Sequence, residues 1–115
     1  MLHSYAFKNF HSFRERTEVS FALTQKAGAH GWDAVSPSGQ RLATALAVIG
    51  ANGAGKTSLI KPLAFLNWFV VHSFQSQPSA QIPVKPHFAA QDEAIEFELQ
   101  ADDEEGTLWR YVLRL

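Results

Sequence analysis

Eight residues near the middle of the chain constrain its fold more than anything else in it: Gly50-Ala51-Asn52-Gly53-Ala54-Gly55-Lys56-Thr57. They fit G-x-x-x-x-G-K-[ST], the pattern of a loop whose backbone N–H groups close around a phosphate. Glycines at 50, 53 and 55 permit the tight path. Before the loop, Leu42 to Ile49 is a nearly continuous apolar run, which reads as a strand buried on both faces of a mainly parallel sheet. After it, Leu59, Ile60, Leu63, Ala64, Leu66, Val70 and Val71 fall at helical spacing, so residues from about Gly55 to His72 read as a helix, with Pro62 expected to kink it or shorten its first part. Strand, loop and helix stand in the order the chemistry needs, because the helix N-terminus adds its dipole to the nest of N–H groups. Chance would produce the eight-residue pattern in roughly 0.5% of chains this long, and its flanks make accident rarer still. The plainer alternative is a glycine-rich turn with a solvated lysine.

Type and position then suggest roles. Gly50, Asn52, Gly53, Ala54 and Gly55 form the loop, and the N–H groups of about Gly53 to Thr57 cradle a β-phosphate. Lys56, the candidate catalytic residue, bridges the β- and γ-phosphates, the Thr57 hydroxyl joins a magnesium shell, and Ser58 reaches an α-phosphate. Turnover would need one thing more, an apolar strand ending in Asp or Asp-Glu to hold magnesium and activate water. Beyond the helix the Asp residues are Asp92, Asp102 and Asp103, and none directly follows four apolar residues. The sequence thus carries a triphosphate cradle without that carboxylate.

Elsewhere the alternation of Tyr5 and Phe7, then of Val19, Phe21 and Leu23, predicts a hairpin over residues 2–23. Residues 24–41, dense in Gly, Pro and Ser, read as loop, as do 73–91 with Pro78, Pro83 and Pro86. A second hairpin is expected over 94–115, with Asp102 to Gly106 as its turn. Glu96 and Glu98 fall opposite Phe97, and the acidic turn reads as solvated rim. Phe65, Trp68 and Phe69 widen the helix's apolar stripe until only Asn67 interrupts it, and such a helix needs cover on every side.

Composition excludes several classes. The 115 residues, 46% hydrophobic, suffice for one modest domain. No cysteine is present, which removes disulfides, thiolate zinc sites and a cysteine nucleophile. His3, His11, His30, His72 and His87 show no metal-ligand spacing. A net charge of −1 is too balanced for a chain that coats nucleic acid, although residues 1–61 carry seven Lys/Arg against three Asp/Glu and residues 62–115 three against eight. Apolar runs fall short of the ~20 residues a bilayer span needs, and the first residues do not read as a secretory signal. The cytoplasm is the expected compartment and no membrane is an expected partner.

Three segments together carry a family resemblance: Phe7-Lys8-Asn9-Phe10-His11-Ser12-Phe13, then Thr17-Glu18-Val19-Ser20-Phe21, then Gly50 to Lys61 with Phe65-Leu66. The chain resembles the start of the RecF/SMC/OLD-like AAA family ATPases, ABC-type heads found in DNA repair and anti-phage defence. The resemblance implies an α/β P-loop NTPase fold, the N-terminal lobe of such a head, with an antiparallel β-subdomain. It implies ATP and magnesium as ligands, and a remaining C-terminal half that carries the signature, the catalytic Asp-Glu and the switch histidine. Two heads would sandwich two ATP molecules as a homodimer, acting on DNA or through an effector nuclease. His11, Ser12 and Arg14 match the family segment near the nucleotide's outer end, although an ordinary strand link explains them equally well. His11 stands where the family usually has Arg or Lys. Ser36-Pro37-Ser38-Gly39-Gln40 is similar to the ABC signature but precedes the loop, so a turn is expected there. A reading of another class is a stand-alone, non-hydrolysing nucleotide-binding module or a gene remnant.

Overall fold

A computed structural model describes residues 1–24 and 31–115; His30 and the rest of 25–30 in the expected loop lie outside the described residues. The elements run β1 (Leu2–Lys8), β2 (Thr17–Ser20), β3 (Asp33–Val35), β4 (Arg41–Ala43), α1 (Lys56–His72), a single 3-10 turn at Ser73–Gln75, β5 (Glu96–Asp102) and β6 (Leu108–Arg114). The four longer strands make one antiparallel sheet in the order β2-β1-β5-β6. Leu2 lies opposite Ala101 and Lys8 opposite Glu96, so the first and last parts of the chain supply the central pair.

Alternation along β1 and β5 gives the sheet two unlike faces. Tyr5, Phe7 and Phe97 on one face meet Phe65 and Leu66 of α1, with Phe10 and Ile95 completing a buried core. The Phe65 and Phe97 rings stack with centroids 4.9 Å apart, and Phe10 meets Phe97 edge-on at 5.3 Å. The Tyr5 hydroxyl donates to the Leu59 carbonyl at 2.8 Å, which fixes α1 along the sheet, and burial raises the pKa of that hydroxyl. α1 stays helical across Pro62, whose ring is buried. Its far side is uncovered: Ile60, Val70 and Val71 are exposed.

On the other face Glu98 accepts two hydrogen bonds from Arg110, at 2.9 and 3.0 Å, with Arg16 at 3.4 Å. Hydrogen bonds from Arg110 and Gln100, and then the charge of Arg110, lower its pKa from 4.5 to about 2.

Three expectations need correction. The apolar run Leu42–Ile49 is not a central strand of a parallel sheet. Only Arg41–Ala43 is strand, paired antiparallel with β3, and residues 44–50 are exposed. A strand of that kind needs strands on both sides and layers on both faces, and no described residue flanks residues 45–50 in a ladder. Secondly, residues 24–41 are not all loop. β3 and β4 are three residues each, short enough to leave the breakers in their turn, where Gly39 takes φ 90° and Ser36 N–H donates to the Gln40 carbonyl at 2.8 Å. The signature-like residues are therefore a hairpin turn.

Thirdly, Asp102 is not part of a solvated rim. It ends β5 buried, with Oδ2 accepting from Ser38 N at 3.0 Å and Ser38 Oγ at 2.6 Å, and Oδ1 from the Met1 ammonium at 2.7 Å. His3 Nε2 lies 3.0 Å from Oδ2. Burial alone would raise this carboxyl's pKa, but the ammonium, Ser36, Ser38 and His3 around it outweigh burial and hold it well below the ordinary range.

Phe97→Ala is expected to lower unfolding free energy by about 3–5 kcal/mol, read as a drop in urea midpoint by circular dichroism. The Glu98 network predicts a pH dependence of known sign. A carboxyl whose folded-state pKa is depressed stabilises the fold above its unfolded value and loses that contribution as pH falls through the folded one. Between pH 4.5 and about 2 the wild type should lose more stability than Glu98→Gln, and equal losses would remove Glu98 from the network's pH response.

Candidate functional site

The glycine loop is built from its helix outward. α1 starts at Lys56, with Gly55 before it at φ 94°, no side-chain cap and no acidic residue in the first turn. The first N–H to find a partner at this end is that of Leu59, on the Gly55 carbonyl at 3.0 Å. Among the described residues the N–H groups of Gly55, Lys56, Thr57 and Ser58 therefore have no hydrogen-bond partner. These are the orphan donors of a helix N-terminus, and with the dipole they favour an anion.

Glycine is required at particular places in the loop. Gly53 has φ 82°, beside the turn that the Ala54 N–H closes on the Ala51 carbonyl at 3.1 Å. A Cβ on Gly50 would come within 3.3 Å of the Ala54 methyl and 3.8 Å of the Lys56 stem. That close approach lets the Lys56 ammonium donate to the Gly50 carbonyl and fold back across the loop. On Gly55 a Cβ would meet the Phe13 ring at 3.4 Å. Phe13 in turn packs edge-on against Phe7 at 5.2 Å, so the loop's seat on the sheet is aromatic.

A cleft of about 290 Å³ opens over this loop, lined by Ser12, Asn52, Gly53, Gly55, Lys56, Thr57 and Ser58. Ser12 Oγ lies 3.5 Å from Ser58 Oγ across it. The structure thus gathers Asn52, Gly53, Gly55, Lys56, Thr57, Ser58 and Ser12 around one space, with Gly50 and Ala54 closing the loop's base. His11 and Arg14 stand apart from it. His11, at φ 50°, faces a second cavity, and its N–H donates to the Lys85 carbonyl at 3.0 Å. Burial, then the charges of Lys61 and Lys85, lower its pKa. The Arg14 guanidinium sits 3.4 Å from Glu93.

One residue that positions the site carries no role in the sequence reading beyond a place in a motif. Asn9 is buried at φ 55°, and its Nδ2 donates to the carbonyls of Ala90 and Glu93 at 2.8 and 2.9 Å while its Oδ1 accepts from His87 N at 2.9 Å. It pins the 87–93 segment beneath the turn that presents Ser12. An asparagine directly after a strand is a signal for this, since Asn tolerates the left-handed region better than most residues.

A glycine loop that is seated on a sheet and opens a helix with free donors is an anion-binding arrangement. Residues 45–115 match the family model described as "AAA domain, putative AbiEii toxin, Type IV TA system". The match covers more than half of the chain, and the chain belongs to this AAA-domain family. No curated protein matches it. Among the described residues no helix is long and apolar enough to cross a membrane, and no group of three or more His, Asp or Glu is placed to hold a metal ion.

Gly55→Ala tests the loop's geometry. Holding a non-glycine residue at this φ costs about 1–2 kcal/mol, and the added methyl meets Phe13, so a loss of at least that size is expected in urea unfolding.

Proposed function

We propose that the chain binds ATP with magnesium in the Gly50–Ser58 loop, as the N-terminal, nucleotide-binding lobe of an ABC-type head with a P-loop NTPase fold. The observation that carries this reading is the run of four unpartnered N–H groups, Gly55 to Ser58, around the cleft that Lys56 and Thr57 also line. These donors fit the β-phosphate, and Lys56 exchanges the Gly50 carbonyl for the β- and γ-oxygens. The Thr57 hydroxyl would hold magnesium, and the ion when bound would supply positive charge against the phosphate oxygens. Ser58 and Ser12 suit the α-phosphate end.

No Asp or Glu lines this cleft among the described residues, which favours binding without turnover by this chain alone. The catalytic carboxylate would come from the rest of a longer protein, and a second head would complete the site in a homodimer. The RecF/SMC/OLD-like affiliation is supported by Ser12 and Phe13, of the Phe7–Phe13 segment, lying against the loop. It points to a cytoplasmic ATPase coupling nucleotide to anti-phage defence, DNA processing or DNA repair, with DNA or an effector nuclease as partner. A stand-alone binding module is the second reading, favoured by the carboxylate-free cleft.

Titration calorimetry of the chain with ATP and magnesium tests the proposal. Losing one charge-assisted hydrogen bond, about 1.5–3 kcal/mol, should weaken binding by Lys56→Ala tenfold or more. Absence of ATP binding by the folded wild type, or equal affinity in Lys56→Ala, would overturn it.

A further inference from the structure

Phe10, His11, Lys61, Trp68 and Pro83 line a second cavity, of about 190 Å³, that shares no residue with the cleft over the glycine loop. Two of its lining residues are ionisable, His11 and Lys61, and a third cation, Lys85, stands in the segment whose carbonyl accepts the His11 N–H at 3.0 Å. His11 comes from the β1–β2 connection and Lys61 from α1, while Lys85 comes from the segment before β5, near enough that its charge and that of Lys61 act on the imidazole. No carboxylate pairs with either lysine among the described residues, although carboxylates do pair with Arg14, Arg16, Arg41, Arg110 and Arg114. Like charges gathered without a counter-charge cost stability unless an anion joins them. The walls beside them are aromatic: Phe10 packs edge-on against His11 at 4.3 Å, and Trp68 is half-buried with its ring 6.0 Å from Phe65.

We propose that this cavity is a second nucleotide-unit site, holding one base against Trp68 and Pro83 and its phosphate on Lys61, Lys85 and His11, separate from the glycine loop. Its volume suits a single base, with the phosphate left outside, where Lys61 of the lining and the neighbouring Lys85 are exposed. Aromatic walls with cations at the rim are what a nucleotide unit needs, because every base has a π-face and every phosphate a charge. The unit can come from a free nucleotide or from a single strand of nucleic acid, and one experiment separates these sources.

Lys56→Ala, which disables the glycine loop, is titrated with thymidine monophosphate and with fluorescein-labelled (dT)10 at low salt, by calorimetry and by anisotropy. Binding of either probe that falls about tenfold or more in Lys56→Ala/Lys85→Glu supports the site. Lys85 is exposed, so this second change leaves the core intact. A preference for the monophosphate identifies a free nucleotide, and one of tenfold or more for (dT)10 identifies a strand. Trp68→Phe should keep affinity that Trp68→Leu loses. No binding of either probe, or equal binding with and without Lys85→Glu, would overturn the proposal.

Discussion

The contact between Phe65 and Phe97 holds the molecule together, because it is where α1, the one long helix among the described residues, meets the centre of the sheet. Phe97 is fully buried, and it takes Phe65 from above and Phe10 from the side. Everything that gives the glycine loop a fixed place follows from that packing. The Tyr5 hydroxyl sets the helix's position along the sheet, and Phe13 supplies the surface on which Gly55 rests. An N-terminus that is free to move has donors but no site. This one is held by the Phe13 ring against Gly55 and by the Tyr5 hydroxyl on the Leu59 carbonyl, which gives its free donors a fixed place.

The two faces of the sheet divide the work. The apolar face orients the helix, whereas the opposite face is held by charge, with Glu98 between Arg16 and Arg110 joining β2, β5 and β6 across the central β1. Asp102 ties the sheet to the β3–β4 hairpin at its far end through Ser38. Neither network reaches the cleft, and among the described residues no carboxylate lines it.

Legibility in the sequence followed how local each signal is. Helix α1 and the glycine loop are written in consecutive residues, and the structure has the helix one residue from the expected start. The strands of both hairpins were readable for the same reason, since alternation is a local pattern. Pairing of β1 with β5 was not, because nothing in either segment names a partner so far along the chain. Leu42–Ile49 misled because apolarity reports what a segment would bury, not what lies beside it. Asp102 misled in the opposite sense: three further acidic residues follow it, and a carboxylate in such company reads as solvated until its partners, the turn at Ser38 and the chain's first residues, are known. At the site, Ser12 joined the loop while His11 and Arg14 did not. In a left-handed turn adjacent residues point in different directions, and no spacing rule anticipates that.

The pairing of β1 with β5 also fixes an order of events. Leu2 must find Ala101 and Lys8 must find Glu96, contacts whose loop-closure cost is met before any of their reward is gained. As the chain leaves the ribosome, β1, the glycine loop and α1 all emerge before Phe97 exists to receive them. Until then the helix has no floor, Phe13 has no fixed ring to lean on, and the apolar side chains of both are open to other chains. The seat of the glycine loop is thus among the last features to form although its residues lie mid-sequence, and nascent chains pass through an interval in which they are exposed to capture by chaperones or by one another.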